Sequence, residues 1–228
     1  MSSDTAPDRR RTPQEPGVRD TVLNIALGLH ADDAWDQTSM EQIASAADVS
    51  RQTLYNTFGN RDGITQALLS RETHRLLYGV DRRWHHALRR GAASSGCLVA
   101  AMSWVLAASR DHPLLHPLLT GQGHEPSCTG VLASPGAAAD QQAVRDRPAG
   151  VVGAVTGLCR RLDAAEVGAT PDRIRGVDAV VRMTVSYLLV PAATSQARAQ
   201  IAYAARSLLP DWRSPGRPPL SGAAGRRR

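Results

Sequence analysis

Between Ser50 and Phe58 the chain sets Arg51, Gln52, Thr53, Tyr55 and Asn56 around two apolar residues, Leu54 and Phe58. The chemistry open to such a set is recognition by hydrogen bonding. Arg can pair with guanine O6 and N7, and Gln or Asn with adenine N6 and N7. Leu54 and Phe58 stand four residues apart, so on a helix they share one face and leave the polar residues on the other. No carboxylate occurs from Val49 to Asn60. Charge repulsion is screened over ~8 Å, so this local absence weighs more against phosphates than the net charge of the surrounding region. A solvated surface helix would also carry such residues, and the elements around it must decide.

A second constellation is His112, His116, His124 and Cys128, an H-x3-H then H-x3-C spacing that could hold a metal. Pro113 follows the first histidine directly and disturbs the helical i, i+4 pairing such a site would use. Polar loop and pocket residues are the simpler reading, and no metal or other cofactor is expected. Catalytic patterns are missing: there is no G-x-S-x-G, no P-loop, no H-E-x-x-H and no glycine-rich dinucleotide motif. The expectation is a binding protein and not an enzyme.

Bulk composition supports a helical fold. Of the 228 residues 42% are hydrophobic but only 4% aromatic, so the core must come from Leu, Val, Ile and Ala. The net charge of +6 and pI near 10.0 suggest a polyanionic partner, but position matters. Asp211 to Arg228 holds five Arg and one Asp, whereas Thr21 to Arg75 holds four Arg against seven acids. All 27 basic residues are Arg, which reflects genome composition more than chemistry, although Arg also suits phosphate contacts. Three widely spaced cysteines, Cys97, Cys128 and Cys159, fit a reducing cytoplasm better than a disulfide framework. The polar N-terminus is unlike a signal peptide, and no run nears the ~20 apolar residues of a membrane span.

The elements follow from periodicity and caps. Residues 1–18 read as a flexible arm. Val22, Ile25, Ala26 and Leu29 then form the stripe of a first helix, ending near Asp32, Asp33 and Asp36. Ser39 and Gln42 form a capping box for a second helix with Met40, Ile43, Ala44 and Ala47 inward. Asp48-Val49 makes a tight turn, Ser50 caps the polar helix, and Gly59 stops it. Asn60 caps a fourth helix running past Ile64, Ala67 and Leu68 through Val80, Trp84 and Leu88. Cys97 to Ala108 is apolar nearly all round, as a central helix would be. Pro113 and Pro117 bracket a short kinked segment, and residues 121–149 read as a long loop. Helices resume at about 150–165, 172–190 (Ile174, Val177, Val181, Thr184, Val185, Leu188) and 195–209 (Ile201, Ala204, Ala205, Leu208). A basic, disordered tail follows from 211 to 228. No strand signal and no internal repeat is evident, and the fold class expected is all-α.

Thr38-Ser39-Met40-Glu41-Gln42-Ile43-Ala44, followed by Val49 to Ile64 with its Leu-Tyr-x-x-Phe element, resembles the DNA-binding domain of the TetR family of regulators. The resemblance covers about residues 19–68. Asp48 stands where that family commonly has Gly, and Thr57 where His is frequent. The resemblance implies a helix-turn-helix domain over 19–68 in which Thr38, Tyr55 and Arg61 contact phosphates. Arg51, Gln52, Thr53 and Asn56 would read bases, with Ser39 and Ser50 at the helix starts. For Tyr55, packing is the competing role.

Beyond residue 70 the resemblance weakens. It implies a helical domain over 69–210 that binds a small molecule and forms a homodimer through the helices at about 172–190 and 195–209. Two modules ~34–36 Å apart would then read a two-fold operator of double-stranded DNA. Repression is what the family implies; an activator, or a ligand-binding protein with a non-functional DNA module, stays open. Arg110 to Leu115 and Arg182 to Pro191 resemble an actinobacterial branch linked to alkane or fatty-acid metabolism, which implies an apolar inducer. Met102, Trp104, His112, His116 and Tyr187 are the candidate pocket residues; for the helix of Met102 and Trp104, plain core is an equal reading.

Overall fold

The computed structural model describes residues 17–120 and 150–210, and within them every regular element is helical. The arm before residue 17, the 121–149 segment with His124 and Cys128, and the tail from 211 lie outside the described residues. Among the described residues nine α-helices follow in order: α1 (Val18–Ala31), α2 (Met40–Ala46), α3 (Arg51–Phe58), α4 (Arg61–Arg89), α5 (Ser94–Arg110), α6 (Leu115–Thr120), α7 (Gly150–Val167), α8 (Pro171–Leu189) and α9 (Thr194–Leu208). A 3-10 turn, Trp35–Gln37, joins α1 to α2.

Local chemistry sets the boundaries. Ser39 and Gln42 make a reciprocal capping box: Gln42 N–H donates to Ser39 Oγ at 3.2 Å and Ser39 N–H to Gln42 Oε1 at 2.7 Å. Asn60 Oδ1 accepts from Gly63 N–H at 2.8 Å and starts α4, with Asp62 in the first turn where the helix dipole favours an anion. Thr170 caps α8 ahead of Pro171, which tolerates the first helical position because its missing N–H would have had no partner. The same physics corrects one boundary. Pro117 does not bracket a segment; it sits within the first turn of α6, where the N–H is also dispensable, and only Pro113 bounds that helix.

Two hydrophobic cores result. The smaller joins Val22, Leu23 and Ala26 of α1 to Ile43 and Ala44 of α2, Leu54 and Phe58 of α3, and Ile64, Leu68 and Leu69 of α4; Leu114 enters from far along the chain. The larger surrounds α5, which packs on α4, α6, α7, α8 and α9. Its near-uniform apolarity is what a central helix requires, and Leu98, Ala101 and Met102 are fully buried. The 29 residues of α4 serve both cores, the first up to Leu69 and the second from Leu76.

The larger core also closes on a buried ion pair. Arg173 donates to both oxygens of Asp163, at 2.9 and 2.7 Å, Ser94 Oγ donates to the same carboxylate, and Arg173 reaches the Pro210 carbonyl at 3.2 Å. This ties the start of α5 to α7, α8 and the chain beyond α9. Cys97 and Cys159 are buried and not in disulfides, and burial, with Asp163 nearby, pushes the Cys159 thiol up to about 12.

Along α8 and α9 the stripe is not wholly inward. Val177, Val181, Thr184, Leu188, Ile201, Ala204 and Ala205 are buried, but Ile174 and Leu208 are exposed, and Leu209 takes the inward place expected of Leu208. The two helices run antiparallel in close contact: a Cβ on Gly176 would meet the Leu208 carbonyl at 2.9 Å, and Tyr187 donates to Gln200 at the other end.

Candidate nucleic-acid interface

The polar helix α3 is bounded by two devices and anchored by two side chains. After α2 the backbone turns at Asp48, whose φ of 52° places it in the left-handed region. Asp tolerates this conformation better than most residues because its short side chain can bond locally. Val49 N–H returns to the Ala44 carbonyl at 3.0 Å, closing the turn. Ser50 Oγ then accepts from Thr53 N–H at 3.0 Å and fixes the start of α3. At the other end Gly59, with φ 76°, breaks the helix before the Asn60 cap. Leu54 is fully buried, Phe58 nearly so, and the Arg19 guanidinium lies 5.3 Å from the Phe58 ring. At eight residues α3 is about 12 Å long, a length that one major groove can admit.

The expected base readers Arg51, Gln52, Thr53 and Asn56, and the expected phosphate contact Tyr55, are all exposed on α3. Their present partners are weak or local. Arg51 pairs with Glu41 of α2, but both side chains are more than half exposed, and such a pair contributes little. Gln52 Nε2 donates to Asn56 Oδ1 at 2.9 Å, which aligns the two amides and leaves Gln52 Oε1 and Asn56 Nδ2 open to a base pair. Thr53 Oγ1 lies 2.8 Å from Ser50 Oγ. Thr57 donates inward to the Thr53 carbonyl at 2.7 Å, so its hydroxyl proton is not offered outward. Tyr55 is 47% exposed, so packing does not consume the ring.

Thr38 and Arg61 are differently placed. Thr38 Oγ1 donates to the Ala34 carbonyl at 2.8 Å, and its accepting lone pairs remain. Arg61 is built into the scaffold: its guanidinium lies 4.7 Å from the Trp35 ring, donates to the Trp35 carbonyl, and stands 3.6 Å from the Asp36 carboxylate. His30 stacks on the same Trp35 ring, the two centroids 4.7 Å apart. Burial lowers the His30 pKa; Asp36 opposes the shift and Arg61 adds to it, so the neutral ring is favoured there. Sequence reading missed Trp35 and Arg19. Arg61 and Trp35 are 26 residues apart, and no local pattern links them.

The five candidate pocket residues do not converge. Met102 is fully buried in the larger core, and Trp104 packs so closely on α4 that a Cβ at Gly79 would strike its ring. His116 Nε2 lies 3.2 Å from the Leu188 carbonyl, and Tyr187 is bonded to Gln200. His112 alone borders the described cavity, a cleft of about 520 Å³ between α1 and α5. His112 and His116 thus turn to separate partners.

Against this geometry, residues 22–68 match the model of the bacterial regulatory proteins of the tetR family. The chain is 32% identical over 105 residues to the HTH-type transcriptional regulator AlkX of Mycobacterium tuberculosis, a match covering 46% of this chain and 48%, or about half, of that protein. Solved structures share the fold. The TetR family repressor AlkX from Dietzia sp., implicated in biodegradation of n-alkanes, superposes with a TM-score of 0.51 at 20% identity, covering 82% of this chain and 96% of that one. A TetR-like transcriptional regulator from Rhodococcus sp. RHA1 gives 0.53 at 20% identity, covering 87% and 98%. Among the described residues no helix is long and apolar enough to cross a membrane. Residues 22–68, which form α1 to α3 with the start of α4, are thus a helix-turn-helix module similar to that of the tetR family of bacterial regulatory proteins, on a chain whose described residues share the all-helical fold of the solved TetR-like regulators.

Proposed function

We propose that this chain acts as a homodimeric repressor that inserts α3 into the major groove at each half of a two-fold operator and is released by a small apolar molecule. One observation carries the DNA part of this reading. The acid-free outer face of α3 is held rigid by the Ser50 cap, the Gly59 stop and the Leu54/Phe58 anchor, with Gln52 and Asn56 already aligned. Arg51, Gln52, Thr53 and Asn56 read bases. Thr38, Ser39, Ser50 and Tyr55 face the backbone around them, and Arg61 supports the phosphate-facing edge from its seat on Trp35.

Dimerisation through α8 and α9 is favoured by the apolar residues these helices leave outside. Ile174, Leu189, Val190, Tyr203 and Leu208 are all at least 37% exposed. Exposed apolar residues along one pair of helices suit a contact surface. The apolar character of the inducer rests on the AlkX likenesses, one of them from a strain whose regulator is implicated in n-alkane biodegradation.

The test is to select bound duplexes from a random pool, then titrate the recovered operator by fluorescence anisotropy with and without n-alkanes or their fatty-acid products. Recovery of an inverted repeat, and its release by one of these compounds, is the expected result. Binding with no sequence preference would overturn the reading.

A further inference from the structure

The helices of the DNA-binding unit and those of the body share little besides α4. α2 packs on α1 and α3, which both pack on α4, whereas α5 and α7 pack on α4 and α5 to α9 among themselves. A single helix linking two cores can bend, so something must hold their relative angle. Packing between α1 and α5 does not supply it. The helix positions that face one another there are Asn24, Leu27, Gly28 and Ala31 of α1 and Ala107 and Ala108 of α5, and they leave the cleft of about 520 Å³ open.

A polar cluster bridges the gap. Glu72 lies on α4 between the two cores, and its carboxylate is almost wholly buried. Arg71 Nε and Arg75 Nη1 donate to its Oε1 at 2.9 and 3.0 Å. Arg71 also reaches α1, donating to Asn24 Oδ1 at 2.9 Å and to the Leu23 carbonyl at 3.2 Å. From the other side His112 Nε2 stands 3.5 Å from Glu72 Oε2. The imidazole is fixed in turn, because its Nδ1 accepts from the N–H groups of Leu114 and Leu115, each at 3.2 Å. That segment is itself a bridge: Leu114 packs in the DNA-binding core, Leu115 and Leu119 in the body, and Leu118 against both. Burial alone would raise the Glu72 pKa. The His112 hydrogen bond, then that from Arg71, and the charges of Arg75 and Arg71 outweigh it and hold the group near 2.

We propose that Arg71, Glu72 and His112 are positioning residues that set the angle of the DNA-binding unit on the body, and through it the half-site spacing that the dimer accepts. Buried ion pairs add little net stability but demand defined geometry, and here one carboxylate is shared by donors that reach α1, α4 and the segment before α6. The consequence for spacing rests on the dimeric reading above, since an angular change at each unit is converted by the two-fold axis into a change of separation. One inserted base pair moves a half-site by ~3.4 Å and turns it by ~35°, so the dimer is sensitive to small angular errors.

The test uses the full chain and three duplexes: the selected operator, and versions with one base pair added or removed between half-sites. Circular dichroism verifies folding at the assay temperature. The wild type should bind its own spacing at least about tenfold more tightly than the other two, as a misplaced half-site forfeits base contacts. Glu72→Gln keeps the shape but turns an NH2 toward the His112 donor, and should reduce that preference to about threefold or less while leaving affinity for unrelated duplex unchanged. His112→Gln, at a less buried position, should do the same, and the double variant should go no further than either single one. Unaltered spacing preference in folded Glu72→Gln and His112→Gln would overturn the proposal, as would additive losses. A wild type without any operator preference would instead defeat the function on which it rests.

Discussion

Arg51 and Arg61 are the same residue type, ten positions apart, in opposite surroundings. Arg51 is exposed and held by a solvent-exposed partner, so it can exchange Glu41 for a guanine at little cost. Arg61 is stacked on Trp35 and bonded to its carbonyl. Arg51→Ala and Gln52→Ala should therefore flatten the preference for operator over unrelated DNA, by about 1–3 kcal/mol per lost base contact, without altering the melting temperature. Arg61→Ala should lower affinity for every duplex and also destabilise the fold by about 1 kcal/mol, because a cation–π contact and a carbonyl partner vanish together. Anisotropy on both duplexes, paired with thermal melts, separates these cases; an Arg61→Ala protein with wild-type stability would contradict the scaffold role. What was legible at this scale was local. Ser39, Ser50 and Asn60 announce themselves because a cap bonds two or three residues onward. Arg71 with Asn24, Glu72 with His112, and Arg61 with Trp35 join residues 26 to 47 positions apart, and no spacing rule connects them.

The helices themselves were readable where one face is buried and the other wet, since that contrast is what periodicity records. Val22, Ile43, Leu54 and Ile64 are all fully buried as their stripes require. The rule fails where a helix face meets something other than the core. Leu208 continues the α9 stripe yet is 43% exposed, because the helix ends there and Leu209, just beyond it, fills the core instead. The turn between α2 and α3 was legible as a turn, and its cost lies at Asp48 with φ 52°. Asp48→Ala should destabilise by about 1 kcal/mol, since Ala enters the left-handed region less readily than Asp, while Asp48→Gly should be neutral or mildly stabilising. Operator affinity below the melting point should be unchanged in both. Urea titration measures the difference, and equal midpoints for the Ala and Gly variants would show that the turn is not strained.

At the scale of the whole molecule, the exposed apolar residues of α8 and α9 and the buried charge on α4 lead to two further expectations. Light scattering at micromolar concentration should report a dimer, and Tyr203→Asp with Leu208→Asp should yield a folded monomer with greatly weakened operator binding, because one unit alone makes half of the contacts. A wild-type monomer would remove the basis for a two-fold operator. The second expectation concerns acid. Glu72 is held near 2 in the folded chain against an ordinary value of 4.5, so the unfolded chain takes up its proton first as pH falls. Its stabilising contribution is complete above pH 4.5 and is lost between there and about 2, by at most about 1.4 kcal/mol per pH unit for one proton. Other carboxylates titrate over the same window, so the informative quantity is the difference between wild type and Glu72→Gln, in which they cancel. Urea midpoints measured from about pH 6 down to about pH 3 should show the wild-type advantage shrinking as the carboxylate is neutralised. An advantage that stays constant across that range would mean the Glu72 charge does not hold the two cores together, and that its neighbours do so by packing alone.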